Sequence, residues 1–180
     1  MSSGRLLGLC GSLRAASYNR KLMLEGVRLF DPAEFVDGNL RLPLYDGDLE
    51  KEGIPDEVQQ LSDEIKAADA VWICGPEYNK NISGVLKNAL DWISRTKGGP
   101  WRDKPVAIAS ATAGRAGGER TQNSLVLCLR PFRPRLIAGP EVLVGDNSNQ
   151  FDVDGTLTNE RNLTALKELM EALRAEAGLG

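Results

Sequence analysis

Apolar residues fall into two rhythms along the chain. Short unbroken runs, Leu6 to Cys10, Ala70 to Cys74 and Lys104 to Ser110, read as strands covered on both faces. Between them the apolar positions step at helical spacing. Leu22, Met23, Gly26, Val27 and Phe30 share one face of a helix over about Asn19–Phe30, ended by Asp31-Pro32. Val58, Leu61, Ile65 and Ala68 follow Pro55, a residue suited to a first helical turn. Val85, Leu86, Ala89, Leu90 and Ile93 form a third stripe, and Leu163, Leu166, Leu169, Met170 and Leu173 the inward face of a last helix over about Asn159–Glu176. Glu119 to Arg130 also reads as helix, and its run Leu125–Leu129 is apolar all round, as expected of a segment buried in a core or against a second subunit. A weak strand at Glu34–Val36 and a fifth within Leu136–Val144, interrupted at Gly139-Pro140, complete the pattern. Leu40 to Ile54 reads as loop.

Strands and helices thus alternate about five times over residues 1–180, the signature of one α/β domain built on a doubly wound parallel sheet with helices on both faces. In the five-stranded flavodoxin-like order, 2-1-3-4-5, the strand order reverses between strands one and three, and ligands bind at the carboxyl ends of the strands there. The loops at that point are Gly11–Asn19 and Gly75–Lys80.

Composition narrows the chemistry. A net charge of −3 leaves no nucleic-acid footprint, and no apolar run reaches membrane-spanning length, so neither nucleic acid nor membrane insertion is expected. Three unspaced cysteines and no leader-like opening suggest a reducing cytoplasm. The chain has no histidine, which excludes imidazole bases, histidine triads and His-ligated zinc. No metal site is expected, and no protein side chain is assigned a catalytic role.

The first loop concentrates donors. Gly11, Ser12, Leu13, Arg14, Ser17, Tyr18 and Asn19 join a strand end to a helix start, where unpaired N–H groups, two hydroxyls, an amide and a guanidinium suit a phosphate. Ser17 or Asn19 serving only as a helix cap is the plainer alternative. The second loop, Pro76-Glu77-Tyr78-Asn79, offers backbone donors and an aromatic but no fixed positive charge, which suits a flat heterocycle; its residues packing on the next helix is the alternative. Ser110, Ala111 and Gly114, after strand four, are small enough to let a ring approach. Phosphate at one loop and a planar ring at the next describe FMN. The Gly114–Gly118 loop lacks the ending of a P-loop, and Gly8 and Gly11 have the wrong spacing for a dinucleotide fingerprint.

Other features read as structural. Phe151–Leu157 superficially matches a phosphatase nucleophile motif, but no buried strand precedes it, so it is a turn before the last helix. Cys10 and Cys74 are expected to be buried, inert thiols and Trp72 a core or interface residue, while Trp92 and Trp101 border either the ligand pocket or a subunit contact. Arg130–Arg135 is a solvated basic loop.

Gly11-Ser12-Leu13-Arg14-x-x-Ser17-x-Asn19 and Pro76-Glu77-Tyr78-Asn79, followed by Gly84-Val85-Leu86-Lys87-Asn88-Ala89-Leu90-Asp91-Trp92, closely resemble the NADPH-dependent FMN reductase family, which includes bacterial quinone, chromate and azo reductases. The resemblance extends through Gly117-Gly118 and Phe151–Leu157. It implies a flavodoxin-like fold, bound FMN, NADPH or NADH as hydride donor, a small-molecule electron acceptor, ping-pong kinetics, and a homodimer or homotetramer. Carried over by position, Ser12, Arg14, Ser17 and Asn19 hold the phosphate, Pro76 to Asn79 line the isoalloxazine, and Ala111 and Gly114 lie near its other edge. An electron-transfer flavodoxin without a substrate of its own is the rival reading, disfavoured by the modest charge. Two departures stand out: Ser83 where many members have proline, and Arg115 where an apolar residue is common. Arg14, Arg20, Arg95, Arg102, Lys104, Arg115 and Arg120 are all candidates for a 2′-phosphate of the donor.

Overall fold

The structure, a computed structural model, describes residues 4–179. Strand β1 (Arg5–Cys10) is followed by helix α1 (Tyr18–Phe30), β2 (Glu34–Asp37), α2 (Gly47–Glu52), α3 (Asp56–Ala67) and β3 (Ala70–Cys74). Then come α4 (Gly84–Ile93), β4 (Pro105–Ala111), α5 (Glu119–Leu129), β5 (Arg135–Leu136), β6 (Val142–Val144) and α6 (Glu160–Glu176). Every pairing is parallel, and the order is β2-β1-β3-β4-β5, with β6 also on β4. The reversal between β1 and β3 therefore lies where the alternation of elements placed it.

Two apolar layers sandwich the sheet. On one face α1 and α6 bury Leu22, Met23, Phe30, Leu166, Met170 and Leu173 against Leu6, Trp72 and Ala107. On the other, α3, α4 and α5 bury Val58, Leu61, Ile65, Leu86, Leu90 and Leu125 against Leu7, Leu9, Val71 and Ile73. Both layers form because β1 and β3 are apolar on alternate and intervening positions alike, leaving neither sheet face for water. Gly26 is what brings α1 close: a Cβ there would lie 2.5 Å from the Trp72 indole nitrogen, which donates to the Met23 carbonyl at 3.1 Å.

Four expectations need correction. The predicted fifth strand is two short ones: β5 and β6 flank Gly139-Pro140, and the pairing offset on β4 shifts by three residues between them, from Val106↔Leu136 to Ala109↔Val142. The stretch Leu40–Ile54 contains α2, whose six residues include none that is fully buried; its one apolar residue, Leu49, packs partly buried on the core but gives no periodicity to read, and Asp46 caps the helix by accepting from the Asp48 N–H at 2.8 Å. The Leu125–Leu129 run is not uniformly covered: Leu125 and Leu129 are core, whereas Val126 and Leu127 are 43% and 68% exposed. Trp92 and Trp101 are buried within the chain itself. Trp92 donates to the Pro43 carbonyl at 2.8 Å and meets Tyr45 edge-on, while Trp101 packs beside Phe132. No helix among the described residues is long and apolar enough to cross a membrane.

Candidate functional site

At the carboxyl ends of β1, β3 and β4 the following loops enclose a cleft of about 420 Å³. The first loop contributes Ser12, Arg14, Ser17, Tyr18 and Asn19, the second Pro76, Glu77 and Tyr78, and the third Ala111, Thr112 and Ala113. Asn147 and Ser148, in the single 3-10 turn after β6, complete the wall. The polar run after the fifth strand was the only signal of these last two in the sequence, and a purely local reading makes it a turn.

The first loop is held shut from below. Gly11 donates to the Cys74 carbonyl at 2.8 Å, continuing the β1–β3 ladder into the loops. A Cβ on Gly11 would lie 3.0 Å from the Ser83 hydroxyl and 3.2 Å from Gly75 and Pro76, so a side chain there would press the two loops apart by a few tenths of an ångström. Ser17 caps α1: its hydroxyl oxygen accepts from the Asn19 N–H at 3.2 Å. Accepting through the oxygen does not use the hydroxyl proton, which also faces the neighbouring Cys10 thiol, so the capping and binding roles are compatible. The backbone N–H groups of Leu13, Ala15, Ala16 and Tyr18 find no acceptor among the described residues. They surround the start of a helix, where the dipole adds partial positive charge. The Arg14 guanidinium has no carboxylate partner among the described residues. This donor set, with no carboxylate in the loop to compete, fits a phosphate dianion.

Asn19 does something else. Its amide donates to the Ala111 carbonyl at 2.8 Å and accepts from the Ala111 N–H at 2.9 Å, while the side chain is almost wholly buried. It thus clips the start of α1 to the end of β4 and sets the spacing of the first and third loops.

The second loop is a tight reverse turn. Tyr78 and Asn81 exchange backbone hydrogen bonds at 3.0 and 3.1 Å, and the central residues Asn79 and Lys80 both have positive φ, as a primed turn requires. The Tyr78 N–H is therefore engaged, while the Glu77 N–H has no backbone acceptor among the described residues, and Pro76, Glu77 and Ala111 line the cleft together. Asn79 points its backbone into the turn and does not line the cleft. One Glu77 oxygen lies 3.7 Å from Arg120, and the other is buried without a partner.

Gly11 and Leu13 belong to the first loop but not to the cleft wall. Ser110 is fully buried beneath it: its hydroxyl donates to the Gly117 carbonyl at 2.6 Å and accepts from Gln122 at 2.8 Å, tying the glycine-rich loop down. Gly114 also lies outside the wall, its place taken by Ala113. Arg115 faces a separate hollow with Glu119, Glu141 and Arg161. Ser83 has φ −65°, the value a proline ring would impose, so the turn into α4 forms without one; its buried hydroxyl has no partner. Beside the site, burial pushes the Cys10 thiol up from its usual value, which keeps it protonated and unreactive at neutral pH. Among the described residues no cluster of side chains is arranged to hold a metal ion.

A parallel sheet of this order, with a donor-rich first loop and a cleft shared by the first, second and third loops, is the architecture of a flavodoxin-like domain. The profile of one family, NADPH-dependent FMN reductase, matches residues 5–149, and the chain belongs to that family. It is 37% identical to an NAD(P)H-dependent FMN reductase of Pseudomonas aeruginosa, over 94% of this chain and 93% of the relative. It is 34% identical to a quinone reductase of Escherichia coli K12, over 94% of this chain and 97% of the relative. Among solved structures, the flavoenzyme NAD(P)H:(acceptor) oxidoreductase FerB of Paracoccus denitrificans superposes with a TM-score of 0.88 at 30% identity, covering 97% of both chains. By family the chain is an oxidoreductase that couples a nicotinamide nucleotide to a flavin.

Proposed function

We propose that the cleft holds FMN, phosphate end on Ser12, Arg14, Ser17 and the free N–H groups of residues 13–18, ring end between Pro76–Tyr78 and Ala111–Ala113. The observation that carries this reading is the donor set at the start of α1, the Ser12 and Ser17 hydroxyls, the Arg14 guanidinium and the unpaired Tyr18 N–H, on residues lining the same cleft as Pro76–Tyr78 and Ala111–Ala113. FMN held there would supply the redox chemistry that links a nicotinamide hydride donor to a small electron acceptor.

The chain's own part is position and charge. Ser12, Ser17 and Arg14 fix the phosphate, and the Asn19 clip sets the slot width. The Glu77 N–H presents a donor to the ring, where it offsets the negative charge of the reduced state. No side chain is needed as a proton donor for hydride transfer, in keeping with a chain that lacks histidine. Donor and acceptor use the same open face in turn, so the kinetics are ping-pong. Free flavin, quinones and chromate- or azo-type oxidants are the acceptors to try, a homodimer or homotetramer is the assembly expected of the family, and a reducing cytoplasm suits three unpaired thiols.

The test is direct. Purified wild-type protein should be yellow, and double-reciprocal initial-rate plots with NADPH and a quinone should be parallel. Intersecting lines would mean a ternary complex and end the ping-pong part. Arg14→Ala should release FMN on dilution, with affinity lower by at least about tenfold for a lost charge-assisted hydrogen bond. Unchanged retention would place the phosphate elsewhere.

A further inference from the structure

A second cleft, of about 340 Å³, lies on the other side of the first loop, between it and the segment that follows β2. Ser12 and Arg14 line both clefts, so the two lie back to back across the first loop. Its charged lining is Arg14, Arg20 and Arg41 against a single carboxylate, Asp37, which leaves two positive charges in excess on a chain whose net charge is −3. Arg20 is ion-paired with Asp37. Arg41 is exposed and bonds only to the Leu13 carbonyl, at 3.2 Å, while its own N–H is fixed by Asn39 at 2.9 Å. Neither Arg14 nor Arg41 has a carboxylate partner among the described residues.

The position of Asp37 matters. An acidic side chain beside an adenosine ribose accepts from its 2′-hydroxyl and repels a 2′-phosphate, whereas an arginine there accommodates the phosphate. Here the carboxylate at the end of β2 is neutralised by Arg20, and two unpaired guanidiniums stand beside it. The other cations that composition offered are placed or engaged elsewhere. Arg95 holds Glu50 at 2.9 Å, Arg120 lies beside Glu77, and Arg102 and Lys104 sit before β4, at the opposite end of the sheet. Arg115 lines a hollow that also holds two glutamates.

We infer that this cleft receives the 2′-phosphate of NADPH, with Arg41 as the residue that sets preference for NADPH over NADH. The inference rests on the reading of the chain as an NAD(P)H-dependent flavin reductase. A phosphate monoester dianion matches the Arg41 guanidinium, which the FMN cleft does not use and which has no carboxylate partner among the described residues, and a 2′-hydroxyl leaves that charge unmet.

The experiment compares wild-type holoenzyme with Arg41→Ala and Arg41→Lys. The ratio of kcat/KM values, NADPH over NADH, should fall about tenfold or more in Arg41→Ala, the loss expected for one charge-assisted contact, and less in Arg41→Lys. Calorimetric titration gives a readout without turnover: adenosine 2′,5′-bisphosphate should bind the wild type more tightly than ADP or inorganic phosphate, and Arg41→Ala should remove that difference. Equal losses with both nucleotides, or an undiminished preference for the bisphosphate in Arg41→Ala, overturn the assignment. If the wild type oxidises neither nucleotide, the reductase reading fails instead, and the bisphosphate titration still decides whether the cleft selects a 2′-phosphate.

Discussion

Asn19 stands in the motif as a ligand for a phosphate, yet both ends of its amide face the backbone of Ala111. Its removal leaves a buried N–H and a buried carbonyl without partners. Asn19→Ala is expected to lower the stability of the flavin-free protein by about 2–5 kcal/mol, measured by urea unfolding. A loss confined to FMN affinity would return Asn19 to the role of direct ligand. Cys74 offers a second test. Complete burial, and after it the neighbouring Cys10, push its thiol well above the usual 9.0. The native chain therefore holds this proton more tightly than the unfolded chain. Its contribution is fully present below pH 9.0 and is lost as pH rises beyond it towards the native pKa. The urea midpoint of the wild type should drop more steeply above pH 9.0 than that of Cys74→Ala, and equal slopes would show a thiol that titrates as freely folded as unfolded.

Elements with one strong period could be read from the sequence almost to the residue. Ala70–Cys74 is β3 as the unbroken apolar run predicts, and α1 extends only one residue beyond the expected start. Its buried stripe includes Gly26 for a reason periodicity cannot give, the indole of Trp72 lying 2.5 Å from where a Cβ would stand. Gly26→Ala should therefore destabilise by about 1–3 kcal/mol in thermal or urea unfolding, as overpacking does, although alanine is the better helix former by about 1 kcal/mol. A stabilised variant would mean that α1 can back away from the sheet. The illegible parts have physical causes. Helix α2 has one apolar residue, Leu49, too few for a period, and is held by loop contacts such as Tyr45 with Glu50, at 2.8 Å, which no local pattern encodes. Within the site, residues that follow a strand end directly, Ser12, Pro76 and Ala111, could be placed from topology alone. Asn147 and Ser148 reach the cleft only through the path the chain takes after β6, and Ser110 faces downward because the last residues of β4 alternate.

The molecule as a whole leaves Val126 and Leu127 uncovered on α5, beside a hollow of about 530 Å³ lined by Leu90, Cys128 and Phe132. This is the face we assign to the proposed contact between subunits. Sedimentation should give a dimer or larger for the wild type and a shift towards monomer for Leu127→Glu; an unmoved profile would place the contact on another face. The two borders of the sheet bear on what happens to such an assembly at high concentration. A long, flat border strand invites a foreign strand to add to it, and repeated addition leads to fibres. Strand β2 is four residues long and begins and ends on carboxylates, Glu34 and Asp37. On the far side the break between β5 and β6 leaves pieces of two and three residues, out of step by three and separated by a proline that has no N–H to offer. The detour at Gly139-Pro140 thus works as a guard against runaway stacking: a chain arriving at either flank finds no continuous ladder on which to grow.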